Sequence, residues 1–205
     1  MKRKIASVSM ILMLWVVFAW TFDSNKTALG DSITKTVPTE YETIQAAINA
    51  ASLGDTIMVP SKTYYEHVVI NKTLSLQGET KETTVIDGSS TGTVVRIAAS
   101  DIHLSGFTIR SSGQNSWTDS GIFLDFSCKN CSISNNIVTD NYHGIFLDAS
   151  DGNALSFNNI SSNTGVGINL ESSSGNTISA NLVSHNEQYN GLCLSDSTRN
   201  TIRAN

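Results

Sequence analysis

Residues 144–163, GIFLDASDGNALSFNNISSN, contain a pattern that recurs along the chain. Its opening Gly-Ile/Leu-x-Leu motif starts at Gly121, Gly144, Gly167 and Gly191, at intervals of 23, 23 and 24 residues. Within each unit, apolar and polar residues alternate over only three to five positions before Asn or Gly interrupts, which is typical of very short strands and not of helices. A repeat of this length and composition predicts a solenoid with one repeat per turn.

The predicted fold is all-β, a right-handed parallel β-helix with coils of about 23 residues, because crossovers between parallel strands of one sheet are right-handed. Inward-facing apolar residues should stack from coil to coil at about 4.8 Å. The first predicted column contains Val95, Ile97, Ile122, Leu124, Ile145, Leu147, Ile168, Leu170, Leu192 and Leu194. The second contains Leu104, Ile133, Leu155, Ile178 and Ile202, and the third contains Ile109, Val138, Ile160 and Val183.

Asparagines recur where the chain must bend between these columns. We expect left-handed backbone at these residues and hydrogen bonds between the amides of neighbouring coils. Ser150 is also placed in a turn, where its replacement should change stability little. The two sets are Asn136, Asn158 and Asn181, and Asn141, Asn163 and Asn186.

The first 30 residues are typical of an export signal. Lys2, Arg3 and Lys4 precede an apolar run over residues 5–20, and polarity returns at Asp23. The alternative is an uncleaved membrane anchor, although the run is slightly short for a membrane helix. In either case the remaining chain should lie outside the cytoplasm, and residues 31–40 should form a linker.

Residues 41–53 are predicted to form a short helix that caps the open end of the β-helix. Thr39 and Glu42 resemble a capping box, and Ile44, Ala47, Ile48 and Ala51 lie on one helical face. The β-helix should then occupy residues 54–205. Because residues 200–205 repeat residues 176–181 and the sequence stops within a coil, we expect it to be truncated at its C-terminal end.

The charge of the chain argues against nucleic acid as a partner. The sequence has 18 acidic and 13 basic side chains, a net charge of −5, and lacks the basic stripe that phosphate binding needs. The expected partner is a polysaccharide or a cell-surface component. Contact with a membrane is expected only through an uncleaved N-terminal segment.

Two segments carry a family resemblance. Residues 43–51, TIQAAINAA, and residues 54–78 resemble the N-terminal region of NosD-type periplasmic β-helix proteins and, more distantly, of pectin methylesterases. The downstream repeats resemble those of carbohydrate-binding and sugar-hydrolase β-helix domains. The resemblance covers about residues 41–205, and it implies coil geometry and an exported protein but no particular chemistry.

The motifs of the related enzymes are incomplete in this chain. Asp125-Phe-Ser-Cys differs from the Asp-Phe-Ile-Phe-Gly of pectin methylesterases, and the paired-Asp and Gly-His-Gly motifs of polygalacturonases are missing. The NosD resemblance brings an association with copper, which needs converging imidazoles or soft sulfurs. The four histidines fall in different predicted coils and columns: His67, His103, His143 and His185.

Phe123, Phe146 and Tyr142 are candidates for stacking against sugar rings. Phe123 and Phe146 alternate with inward residues, so they should lie stacked on the outer surface. The alternative is that a loop, such as residues 111–120, covers them.

Asp125, Asp148 and Glu171 should form one vertical file of carboxylates. Like charges opposite each other on neighbouring strands repel, and oxygen donors in a file suit Ca²⁺. The pectate-lyase-like β-helices, which this fold resembles, place acidic clusters on the same kind of face for calcium and acidic sugars. The alternative is a solvated acidic edge with relaxed side chains.

Cys128 and Cys131 form a C-x-x-C motif that either fills a turn or closes a local disulfide. Cys193, three coils away, is too distant to join either of them.

Two classes of function remain open. The first is an exported, non-catalytic β-helix that binds glycans or partners, with a NosD-like periplasmic accessory protein as a variant. The second is a polysaccharide lyase or hydrolase with its site on the outer face.

Overall fold

The computed structural model describes residues 33–37, 39–187 and 190–205. These residues form a parallel β-helix of about seven turns with very little helix, which confirms the predicted fold class. The predicted export signal or anchor, residues 1–30, lies outside the described residues. No helix in the described part of the chain is long and apolar enough to cross a membrane.

The strands stack into three parallel sheets. The first sheet contains β4 (Val68–Ile70), β7 (Val95–Ile97), β10 (Ser120–Leu124), β13 (His143–Asp148), β16 (Ile168–Glu171) and β19 (Leu192–Ser195). The second contains β1 (Thr34–Thr36), β2 (Thr56–Val59), β5 (Ser75–Gly78), β8 (His103–Ser105), β11 (Ser132–Ser134), β14 (Ala154–Ser156), β17 (Thr177–Ser179) and β20 (Thr201–Arg203). The third contains β3 (Thr63–Tyr65), β6 (Val85–Asp87), β9 (Thr108–Arg110), β12 (Ile137–Thr139), β15 (Asn159–Ser161) and β18 (Leu182–Ser184).

The three predicted columns are confirmed by the strand register. Ile122 pairs with Ile145, Ile133 with Leu155, and Val138 with Ile160. The first column begins one coil earlier than predicted, because Val68 pairs with Val95. The coil from Val68 to Val95 and the coil from Val95 to Ile122 are both longer than the later coils. The spacing of the later repeats therefore does not predict where the strands of these two coils lie.

The predicted asparagine ladders are present. Asn136 Nδ2 donates to Asn158 Oδ1 (3.1 Å), and Asn158 Nδ2 donates in turn to Asn181 Oδ1 (3.0 Å). Asn141, Asn163 and Asn186 form the same chain of bonds. Each inner amide also satisfies backbone groups of adjacent coils, which are buried and need partners.

The left-handed backbone predicted at the asparagines is wrong by one residue. The positive φ angles fall on the residue before each ladder position, as at Asn135 (54°) before Asn136 and Phe157 (57°) before Asn158. This residue makes the bend, and the following side chain then points inward, where it bonds to the next coil.

Two further ladders were not predicted. The first links Asn153, Asn176 and Asn200. The second links the fully buried Ser150 to Ser173, whose Oγ accepts the Ser150 backbone N–H (2.9 Å). The burial of Ser150 and its bond to Ser173 argue against the expectation that its replacement changes stability little.

The helix is shorter than predicted. α1 covers Ile44–Ala50, not residues 41–53, and its N-cap is Thr43, whose Oγ1 accepts from Ala46 N (3.0 Å). The predicted capping box at Thr39 lies before the helix. Glu66 replaces it from the first coil, because its carboxylate accepts from the Ile44 and Gln45 backbone nitrogens (3.1 Å each). The helix packs against β2 and β4.

Candidate functional site

A groove of about 530 Å³ lies over the outer face of the first sheet. Its floor contains Val69, Arg96 and Phe123, the outward residues of three consecutive strands. Trp117, Phe126, Asp125 and Asp148 also line it. The groove therefore combines aromatic rings, one cation and carboxylates at one place.

One wall of the groove is the loop of residues 111–120. Asp119 is buried within the loop, and its Oδ2 accepts from the Asn115 and Ser116 backbone nitrogens (3.0 Å each). These bonds hold the loop so that Trp117 packs edge-on against Phe146, with ring centroids 5.6 Å apart.

The predicted exposure of Phe123 and Phe146 is wrong. Phe146 is 0% exposed and Phe123 is 7% exposed, and the two rings pack edge to face at 5.3 Å. The structure shows the alternative arrangement, in which the loop of residues 111–120 covers the aromatic pair. Tyr142 is half-buried and packs on His143 (4.5 Å), away from the residues that line the groove.

The exposed aromatic residues of the groove are Trp117 and Phe126, at 59% and 67% exposure. Sequence reasoning missed both, because neither lies at a repeat position. Their positions in the sequence could have identified them. Trp117 lies in the loop that was expected to cover the aromatic pair, and Phe126 directly follows the carboxylate at the end of β10.

Asp125 is not a free member of the carboxylate file. Its Oδ2 is ion-paired with Arg96 Nη2, which reaches across from the preceding coil. Its Oδ1 accepts from the Phe126 backbone nitrogen (2.9 Å). A cation from the protein thus offsets part of the repulsion that the sequence predicts.

Asp148 has a different environment. It lies in register with Glu171, is 7% exposed, and lines the groove. Within the described residues, no hydrogen bond or ion pair reaches its carboxylate. Burial, and then the charges of Glu171 and Asp125, raise the pKa of Asp148.

Metal donors do not converge in the described ranges. No group of three His, Cys, Asp or Glu side chains there is arranged to hold an ion, and Arg96 already occupies Asp125. Ca²⁺ binding by Asp125, Asp148 and Glu171 stays a prediction.

Cys128 and Cys131 are both free thiols and buried in this structure. The local disulfide between them stays a prediction. Cys128 Sγ donates to Ile97 O (3.2 Å) and Cys131 Sγ to Ala99 O (3.5 Å). Burial raises the pKa of Cys128 to about 11, which makes it a poor nucleophile at neutral pH.

His143 is attached to the loop of residues 111–120 through its backbone nitrogen, which donates to Asp119 O (3.1 Å). Its ring Nδ1 accepts from the Val166 backbone nitrogen (3.0 Å). Burial lowers the pKa of His143, so the neutral ring is favoured.

Solved structures with a similar fold are pectin methylesterases. A pectin methylesterase in complex with hexasaccharide VII has 15% identity and a TM-score of 0.53, over 73% of this chain and 55% of that chain. PemA from Erwinia chrysanthemi has 16% identity and a TM-score of 0.50, over 73% and 55%. The enzyme from Yersinia enterocolitica has 15% identity and a TM-score of 0.51, over 68% and 55%. At these identities the likeness concerns the fold alone, and the chain spans about 55% of their length.

The sequence gives a more specific relationship. No curated protein matches it significantly. The family profile described as periplasmic copper-binding protein (NosD) matches residues 48–205, which is most of the chain. The protein therefore belongs to the NosD family of periplasmic parallel β-helix proteins.

Proposed function

We propose that the protein is an exported β-helix that binds a segment of a glycan in the groove of the first sheet. The observation that carries the proposal is the pair of exposed aromatic side chains, Trp117 and Phe126, beside Arg96 and Asp125 in one groove. Sugar rings present flat apolar faces that stack on aromatic rings. Charged groups next to those rings orient the sugar hydroxyls.

The size and context of the groove support this proposal. Its volume of about 530 Å³ lies within the range of about 300–1,000 Å³ for ligand sites. Export is supported by the periplasmic family and by the charged and apolar pattern of residues 1–30. A periplasmic or secreted protein encounters polysaccharides at the cell surface.

Copper, which the family description names, does not fit the donors that the described residues offer. The Cys128 and Cys131 thiols are buried and bond to carbonyls, while His143 Nδ1 accepts a backbone N–H. Soft thiolates and free imidazole nitrogens are what copper requires. We therefore assign no copper chemistry to the residues that the structure describes.

Hydrolysis of the bound glycan is a second candidate function. The observation that favours it is the contrast between two neighbouring carboxylates: Asp125 is ion-paired with Arg96, whereas the pKa of Asp148 is raised by burial. Two carboxyl groups in unlike environments suit a proton donor and an ionised partner. New reducing ends released from a glycan, and lost in both Asp125→Asn and Asp148→Asn, would support this activity.

Binding is tested by calorimetric titration of the full chain with a panel of neutral, acidic and basic oligosaccharides. Phe126→Ala should weaken binding about tenfold, because it removes a stacking surface without opening the core. Tyr65→Ala is the matched control, since Tyr65 is 71% exposed on the third sheet and outside the groove. Equal losses in both variants, or no binding by any glycan, would contradict the proposal.

A further inference from the structure

We infer that the groove selects glycans that carry protonated amino groups, with Asp148 as the residue that binds the ammonium. This inference rests on the proposed glycan binding and adds the chemical class of the sugar. It follows from the charge that the groove leaves uncompensated and from the rings that surround this charge.

Asp148 is a charged residue of the groove that has no partner among the described residues. It is 7% exposed and lines the groove, and no described residue donates to its carboxylate. A buried carboxylate is unfavourable unless a cation or hydrogen-bond donors compensate it. A ligand that brings a positive charge therefore gains an interaction that the protein alone does not supply.

The neighbouring charges favour a cation. Arg96 is already paired with Asp125, so it does not neutralise Asp148. Glu171 lies in register with Asp148 and adds a second negative charge. His67, at the other side of the groove, is bonded through its ring nitrogens to Thr93 O and Thr91 Oγ1. A uronic acid at Asp148 would meet like charge, and a neutral sugar would leave the carboxylate unpaired.

The aromatic rings favour an ammonium ion over a metal ion. Ca²⁺ needs six to eight oxygen ligands, and the described residues offer no converging group of acidic side chains. An ammonium needs one carboxylate and is attracted by the faces of aromatic rings. Trp117, Phe123 and Phe126 line the same groove as Asp148. An amino sugar fits these features, because its ring stacks while its amine pairs with the carboxylate.

The test compares three oligomers of equal length at pH 6: glucosamine oligomers, N-acetylglucosamine oligomers and oligogalacturonate. Each is titrated into the full chain in low salt. We expect the glucosamine oligomer to bind at least about tenfold more tightly than its N-acetylated counterpart, as one charged hydrogen bond allows. Asp148→Asn should reduce this ratio to about one, because it removes the carboxylate that pairs with the ammonium. Glu82→Gln, an exposed acid in a turn away from the groove, should leave the ratio intact.

The outcomes separate this inference from the proposed function. Equal affinity for the amine and the N-acetylated oligomer, or tightest binding of oligogalacturonate, overturns the amino-sugar inference and leaves glycan binding standing. No binding of any oligomer overturns both. An oligolysine peptide that binds in an Asp148-dependent manner, when the glucosamine oligomer does not, overturns the inference in favour of a basic peptide.

Discussion

Asp148 and Glu171 lie in register on β13 and β16, and Asp148 is buried whereas Glu171 is half-buried. Burial, followed by the charges of Glu171 and Asp125, raises the pKa of Asp148. The protonated form of Asp148 is thus favoured by folding. The stability that this preference provides is present below the unfolded pKa of about 3.9 and is lost as pH rises through the higher folded pKa.

Asp148→Asn should therefore stabilise the protein at pH 7. The amide is nearly the same size, carries no charge, and removes the repulsion from Glu171 and Asp125. Urea unfolding should show a higher midpoint for the variant at pH 7, and the gain should shrink as pH falls towards 4. Glu82→Gln serves as the control for loss of one exposed charge. An unchanged or lower midpoint for Asp148→Asn at pH 7 would show that burial and the nearby carboxylates do not make the charge of Asp148 unfavourable.

Leu147→Ala should destabilise the fold by about 2–5 kcal/mol. Leu147 is 0% exposed in the first column, between Leu124 and Leu170, and its truncation leaves a cavity. Leu182→Ala is the control, because Leu182 is 60% exposed and such changes stay within about 0.5 kcal/mol. Urea unfolding of both variants measures the difference, and similar midpoints would show that the register is wrong.

Ser150→Ala should destabilise the fold by about 1–3 kcal/mol, the usual penalty for an unsatisfied buried polar group. Ser150 Oγ lies 2.7 Å from Asp125 O and 3.0 Å from Asp148 O, and the side chain is fully buried. Ser156→Ala, at a half-buried strand position, is the control. If chemical denaturation gives the same free energy of unfolding for the two variants, the hydrogen bonds of the Ser150 hydroxyl contribute nothing to stability.

The stability of the protein should decrease below pH 6.5 because of His143. Burial lowers the pKa of His143, so its contribution is complete above the unfolded pKa of about 6.5 and is lost as pH falls towards the folded pKa. Protonation also removes the Nδ1 acceptor for the Val166 backbone nitrogen. Urea midpoints between pH 7.5 and 5 should fall more steeply in the wild type than in His143→Gln. Parallel pH profiles would exclude this role.

Calcium binding has a separate test. If Ca²⁺ joins Asp125, Asp148 and Glu171, millimolar Ca²⁺ should raise the melting temperature by mass action. Arg96→Ala should enlarge the increase, because Arg96 is ion-paired with Asp125, and Asp148→Asn should abolish it. Melting curves that are the same in Ca²⁺ and in EDTA would rule the ion out.

The repeat made the coil architecture predictable, because each column depends on residues at a constant spacing. Ile145 and Leu155 could be assigned this way, and so could the asparagine ladder through Asn158. The strands of the first coil could not be assigned from the repeat, because the chain between Val68 and Val95 is longer than a later coil.

The candidate site was predictable only in its location. Asp125 and Asp148 were found because they follow repeat strands. The Arg96–Asp125 ion pair could not be predicted. Its residues are 29 positions apart, and the spacing of the later repeats does not give the length of the coil between them. The burial of Phe146 depends on residues 111–120, a segment that follows no repeat.

The groove wall and the solenoid are specified by separate parts of the sequence. Ser112 N donates to Asn141 Oδ1, and His143 N donates to Asp119 O, so both ends of the 111–120 loop are attached to the next coil (3.1 Å each). The strands continue on either side whatever the loop contains. Substitution or lengthening between these two points can therefore change what the groove accepts while leaving the columns and ladders intact, and relatives with the same coils could diverge in ligand through this one segment.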